Sequence, residues 1–255
     1  MKVVILAGGL GTRLSEETDS IPKPMVRIGD KPILWHIMKT YSQYGFDEFV
    51  ICLGFKGQII KEFFCNYRTY SSDFTIDLDT MNVEIHNDYR ESWKVTMIDT
   101  GDTTMTGGRI KRIAEYLEGE TFLMTYGDGL SNVNIHELVQ FHRAHGRLAT
   151  VTSVSQPGRF GCLTVADDNV TGFVEKPHDD NLLVNGGFFV LEPSVIDYID
   201  GDHSIWEKEP MEGLVRDAQL MSFWHQDFWQ PMDTLREKRL LDQLWATGKP
   251  PWKIW

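Results

Sequence analysis

Positive charge is scarce in this sequence. Its 255 residues carry 25 Lys and Arg against 37 Asp and Glu, a formal net charge of −12. A chain this acidic lacks the basic face that nucleic acid calls for, so no nucleic-acid partner is expected. Any anion site it holds must gather its few cations locally, against the mean field of the rest. Cysteine is scarce too. Cys52, Cys65 and Cys162 are odd in number, far apart and outside any C-x-x-C pair. That pattern argues against a disulfide framework and for free, mostly buried thiols in a reducing cytoplasm. No stretch reaches the roughly 18 to 20 continuous apolar residues of a membrane span, so no membrane partner is expected. The N-terminus has no apolar segment followed by a small-residue cleavage site, so its first strand is assigned to the fold.

Familiar catalytic signatures are also missing. The dinucleotide fingerprint G-x-G-x-x-G stays incomplete, because Gly9-Leu10-Gly11-Thr12-Arg13 runs into Leu14. There is no G-x-x-x-x-G-K-[ST] loop and no G-x-S-x-G elbow. A helix beginning His136-Glu137 has Gln140 where a zinc-protease helix needs its second His. His142 and His145 share a face without a visible third ligand and read as a solvated helix face.

What is present starts at the front. Val3-Val4-Ile5-Leu6 reads as a buried parallel strand, and it breaks into Ala7-Gly8-Gly9-Leu10-Gly11-Thr12-Arg13. Glycines let backbone N–H groups approach a phosphate, and Arg13 adds an always-charged fork suited to its oxygens. Next, Pro22-Lys23-Pro24 presents one lysine from a stiff backbone. Lys23 is either a solvated loop residue or a phosphate contact. Leu34, Ile37, Met38 and Tyr41 predict a helix from Pro32, an early helical position, to about residue 44. Trp35 and His36 read as packing or surface residues. Residues 49–53 predict a second buried strand and 58–64 a second helix. This is the βαβα pattern of a doubly wound sheet.

Residues 68–83 read as polar and irregular, an insertion or a subunit contact. Strands are predicted at 83–86 and 95–99. Asp102-Thr103-Thr104-Met105-Thr106-Gly107-Gly108-Arg109 follows, a Gly- and Thr-rich loop leading into a helix over 109–117. Such small hydroxylated residues line a base or ribose, or simply cap the helix. The buried strand 122–126 ends in Gly127-Asp128-Gly129. Asp128 is either a turn residue or a carboxylate placed where open α/β sheets bind ligands. A helix is expected over 135–145 and a strand over 149–153. Residues from 156 onward read as a second portion, with antiparallel β segments, a buried strand at 185–191 and a helix near 211–218. Thr234 and Glu237 have capping-box spacing for a helix to about residue 247. Asp233, just before it, is a helix-start carboxylate or a second metal candidate.

Taken in order, Leu6 to Leu14, Pro22-Lys23-Pro24-Met25, Tyr126-Gly127-Asp128-Gly129, Phe173-Val174-Glu175-Lys176-Pro177 and Asn185-Gly186-Gly187 resemble the signatures of the sugar nucleotidyltransferases. Thr106-Gly107-Gly108-Arg109 and Trp229-Gln230-Pro231-Met232-Asp233-Thr234 resemble, within that family, the members that pair CTP with glucose 1-phosphate. The resemblance spans nearly the whole chain and departs mainly at 69–87 and 117–121. It implies a Rossmann-like doubly wound mixed α/β sheet with a smaller β-containing sugar lobe. Residues 1–155 would bind the nucleotide and 156–255 the sugar, within one domain.

The implied reaction is in-line attack of α-D-glucose 1-phosphate on CTP, giving CDP-glucose and pyrophosphate with Mg²⁺ held by Asp128 and Asp233. Arg13 and Lys23 would neutralise the phosphates. Leu6, Ala7, Gly8, Gly9, Leu10, Gly11, Thr12, Thr104, Arg109 and Gly127 would hold the nucleotide, with Arg109 near the base or ribose. Lys176 would hold the sugar phosphate, with Glu175, Asn185 and Gly186 on the sugar. The resemblance further implies a homo-oligomer, with a hexamer as one arrangement, supplying CDP-glucose for bacterial surface dideoxysugars. Residue chemistry alone cannot read the base, so dTTP, UTP and GTP stay open as rivals to CTP. A non-catalytic sugar-nucleotide-binding regulator is the rival from another class.

Overall fold

A computed structural model gives the structure over residues 1–11, 14–87, 91–155, 162–166, 169–174 and 183–255, with the backbone alone at 15–16, 162–166 and 169–174. Seven strands form the central sheet, in the order Leu220–His225, Ala149–Ser155, Leu183–Leu191, Phe122–Tyr126, Val3–Leu6, Glu48–Leu53, Lys94–Asp99. Leu183–Leu191 runs against both of its neighbours, and every other pairing is parallel. The doubly wound mixed sheet is therefore as expected. The second half completes this sheet with two strands, while Cys162–Ala166 and Asn169–Val174 form a separate antiparallel pair.

Alternation along the strands builds one core on each face of the sheet. Val3 and Ile5 pack on one side with Ile33, Ile37 and Tyr41 of the Ile33–Gln43 helix. Val4 and Leu6 pack on the other with Val50, Met124 and Phe189. The Ile33–Gln43 helix starts one residue later than expected, with Pro32 as its N-cap. The helix expected over 109–117 is Thr106–Arg112 followed by a 3-10 turn, Ala114–Leu117.

Three expectations need correction. Residues 68–83 are not irregular. They hold a short helix, Tyr67–Ser71, and the first strand of a hairpin, Asp73–Asp77 paired with Asn82–Asn87. The Asp77 carboxylate accepts from the Asp79 and Thr80 N–H groups at its turn. His142 is not on a solvated face but buried, bonded to Thr150 Oγ1 and to Glu192. Cys52 is buried, its thiol pushed up to about 12 by that burial, whereas Cys65 is exposed.

His36 is fully buried among the rings of Trp35, Trp245, Trp252 and Trp255. Burial pulls its imidazole down to about 4. The folded chain thus keeps it neutral where an unfolded chain protonates it. Its contribution to stability is whole above about pH 6.5 and is lost as pH falls toward 4. Urea unfolding at pH 7 and pH 5 should show about 2 kcal/mol less pH dependence in His36→Gln than in the parent. Identical pH dependence in the two would refute this placement.

Candidate active site

The site forms where the sheet changes direction. Strand order steps from Val3–Leu6 out to Glu48–Leu53 and Lys94–Asp99, then returns to Phe122–Tyr126 on the other side. Open α/β sheets bind ligands at the carboxyl ends of strands flanking such a switch. Leu6 lies opposite Tyr126, and the Gly127 N–H donates to the Leu6 carbonyl at 3.0 Å. The glycine loop and the Gly127-Asp128 turn therefore leave the sheet side by side.

Two cavities open there. The larger, about 590 Å³, is walled by Leu6 to Gly11, by Asp102 to Thr106 with Arg109, and by Lys23, Gly127, Asp128 and Asp233. Every described residue expected to hold the nucleotide lines it. The second, about 430 Å³, is lined by Asn185 and Gly186, expected on the sugar, and by Tyr126, Glu207 and Trp229. Asp128, Asp233 and Tyr126 belong to both cavities. Thr12, Arg13, Glu175 and Lys176 lie outside the described residues.

Asp128 and Asp233 are 105 positions apart in the chain but adjacent in space. Trp229–Pro231 pairs with Gly129–Ser131, and the Met232 N–H donates to the Asp128 carbonyl at 2.8 Å. The capping box at Thr234 and Glu237 is present, and Glu237 also accepts from the Asp233 N–H at 2.7 Å. That locks the backbone carrying the second carboxylate.

Lys23 sits in a 3-10 turn, Lys23–Met25, behind Pro22. Its ammonium donates to Asp128 Oδ2 at 2.6 Å and to Asp233 Oδ1 at 2.7 Å. Burial alone would lower its pKa, but the Asp128 and Asp233 carboxylates outweigh that and raise it. The ammonium marks a point on which two hard oxygen donors converge. No group of three or more His, Cys, Asp or Glu side chains surrounds a common point among the described residues. Two carboxylates with room for other oxygens suit Mg²⁺, which usually takes one or two protein carboxylates plus phosphates and water.

Arg109 lines the nucleotide cavity, but its guanidinium is committed to the protein. It donates to the Leu53 carbonyl at 2.9 Å, Thr100 Oγ1 at 2.7 Å and the Gly8 carbonyl at 3.0 Å. A Cβ on Gly8 would lie 2.1 Å from Nη1. Arg109 therefore braces the glycine loop from behind. Gly107 and Gly108 likewise serve close packing. A Cβ on either would collide with the backbone of Ser204 or Asp202, which the Gly107 and Gly108 N–H groups contact through the Ser204 carbonyl.

Tyr126, Trp229 and Glu207 line the smaller cavity and carry no role read from the sequence alone. Tyr126 ends a buried strand just before Gly-Asp-Gly, which is a usable signal. Trp229 sits within a motif already noted, and its indole N–H donates to the Gly186 carbonyl at 2.6 Å. Glu207 carries no local signal at all. Burial, then the neighbouring Glu207, hold the Tyr126 phenol well above its usual range, so it stays protonated.

Residues 2–230 match the family model described as Nucleotidyl transferase. The chain is 56% identical to the glucose-1-phosphate cytidylyltransferase of Salmonella typhimurium, over the full length of both. It is 45% identical, again over both full lengths, to a Bacillus subtilis protein named "Probable glucose-1-phosphate cytidylyltransferase". Among solved structures it superposes on a UDP-glucose pyrophosphorylase complexed with UDP-glucose, with a TM-score of 0.70 at 14% identity, covering 97% of this chain and 98% of that one. That last likeness bears on the fold alone.

Proposed function

The chain belongs to the nucleotidyl transferase family, and from that premise we propose that it transfers a cytidylyl group from CTP to α-D-glucose 1-phosphate. The observation that carries this reading is the pair Asp128 and Asp233 at the seam shared by two cavities, one walled by a glycine loop and one by sugar-compatible polar groups. The identity of its full-length cytidylyltransferase relatives supports the choice of base and sugar.

In this mechanism a phosphate oxygen of glucose 1-phosphate attacks the α-phosphorus of CTP, and the bond to the departing pyrophosphate breaks. The attacking oxygen is already ionised, so no general base is needed. Catalysis reduces to positioning and charge neutralisation. Leu6 to Thr12 hold the nucleotide phosphates, with Thr104 and Gly127 on the nucleoside side and Arg109 acting through Gly8. Lys23 leaves the carboxylates for the phosphates as they enter. Arg13 takes the leaving pyrophosphate. Lys176 takes the sugar phosphate, while Glu175, Asn185 and Gly186 bind the sugar. Asp128 and Asp233 would hold Mg²⁺, which would supply charge stabilisation at the phosphates.

The domain reading is one unit over 1–255, nucleotide side first and sugar side second. The partner reading is a homo-oligomer. It is supported by a hairpin whose apolar Phe74, Ile76, Leu78, Met81 and Val83 all stand exposed. No described helix is long and apolar enough to cross a membrane.

Initial rates of pyrophosphate release with CTP, dTTP, UTP and GTP, each with glucose 1-phosphate, test the reading. CTP is expected to exceed each of the others by at least about tenfold in kcat/KM. A preference for dTTP or UTP would overturn the choice of base.

A further inference from the structure

We propose that Glu207 is a specificity-determining residue that accepts hydrogen bonds from ring hydroxyls of the sugar phosphate. The inference rests on the reading of the smaller cavity as the sugar site.

Glu207 is placed by its neighbours with little freedom. Trp206 beside it is fully buried against Phe189. The Trp206 N–H donates to Thr106 Oγ1 at 2.9 Å, and Thr106 Oγ1 donates in turn to Glu207 Oε2 at 2.7 Å. The other carboxylate oxygen, Oε1, accepts from the Tyr126 phenol. The Asn185 amide reaches the same phenol at 3.5 Å. A chain of polar groups thus runs from Thr106 on the nucleotide cavity, through Glu207 and Tyr126, to Asn185 on the sugar cavity.

Glu207 is solvent-exposed and lines the smaller cavity. Three described carboxylates line that cavity: Asp128, Asp233 and Glu207. The first two share the Lys23 ammonium. Glu207 has only neutral hydroxyl partners, and no cation pairs with it among the described residues. Each carboxylate oxygen has about two acceptor sites, so one bond to each leaves capacity for a ligand's O–H donors. An uncompensated negative charge also disfavours a phosphate beside it. The wall around Glu207 therefore selects the hydroxylated ring and leaves the phosphate to the cationic part of the site. Hydrogen bonds to an ionised acceptor are about twice as strong as neutral ones, which makes this contact a means of discrimination.

The test compares the parent, Glu207→Gln and Glu207→Asp. Calorimetric titration with glucose 1-phosphate should show Kd raised about tenfold or more in Glu207→Gln, with partial recovery in Glu207→Asp. KM for glucose 1-phosphate should rise in parallel while KM for CTP stays within about threefold. A scan of monodeoxy glucose 1-phosphates completes a double cycle. At one ring position, removing the hydroxyl should cost the parent about tenfold in kcat/KM and Glu207→Gln nothing. An unchanged Kd in Glu207→Gln overturns the proposal. So does a joint rise of both KM values with a lowered Tm, which marks a purely structural role. Turnover of the parent with CTP separately tests the underlying reaction. If it fails while the titration shows the Glu207 effect, the sugar contact stands and the transferase reading falls.

Discussion

Asp233→Ala should lose pyrophosphate release from CTP and glucose 1-phosphate by at least about a thousandfold, with the fold intact. The carboxylate is one of two that converge on Lys23. Removing it leaves a single anionic oxygen donor group at the seam and lets the ammonium settle on Asp128 alone. Fold and function separate cleanly at this position. The adjacent helix is started by the Thr234 side chain and by Glu237, and the strand before it is held by pairing to Gly129–Ser131. None of these contacts uses the Asp233 carboxylate. Circular dichroism should match the parent. Asp233→Asn keeps shape and loses charge, so it should fall nearly as far. If either variant kept its activity with the parent's Mg²⁺ dependence, the metal assignment would be wrong.

Arg109→Met should combine a loss of stability with a loss of nucleotide affinity. The guanidinium satisfies the Leu53 and Gly8 carbonyls and Thr100 Oγ1 in a site only 4% exposed. Thioether carbon and sulfur cannot replace those donors, so buried acceptors are left unpaired at a cost of about 2–4 kcal/mol. The Gly8 carbonyl is then free to turn, and KM for CTP should rise by roughly 10- to 100-fold. Arg109→Lys should rescue little, because one ammonium cannot span three acceptors fixed by a planar fork. Urea unfolding alongside steady-state kinetics reads both effects. A variant that kept parental stability and lost only CTP affinity would show that Arg109 touches the nucleotide and does not brace the loop.

Much of this arrangement was legible in the sequence because its signals are local. Val3–Leu6 and Phe122–Tyr126 are continuous apolar runs ended by glycine, and the cavity lies just past both. Thr234 and Glu237 announce their capping box by spacing alone. Lys23, Asp128 and Asp233 each have a bland reading taken alone, and the sequence carries no sign that the three meet in space. What escaped was set by tertiary contact. Arg109 sits in a motif that suggests a ligand, but Gly8 and Leu53, remote in the chain, take its donors. His142 shows a helical period with polar neighbours, yet the Thr150 strand and Glu192 bury it. Glu207 lies in a turn with no periodicity, and its placement comes from Thr106, about a hundred residues upstream, and Tyr126, about eighty upstream. Phe74 and Ile76 alternate with polar residues, but Asp73–Asp77 is exposed along its whole length, which removes the burial contrast that marks a strand.

The pairing of Trp229–Pro231 with Gly129–Ser131 also fixes when this site can exist during synthesis. A growing chain that has reached Leu191 can already pair six of the seven sheet strands and shape the glycine wall of the larger cavity. It holds Asp128 and Lys23 but no second carboxylate. The seam closes only when the segment carrying Asp233 returns to lie beside Asp128. A chain interrupted before that point lacks Asp233, and it also lacks Met232, Leu241 and Trp252 of the core, so the segment that finishes the packing is the same one that brings the second carboxylate in.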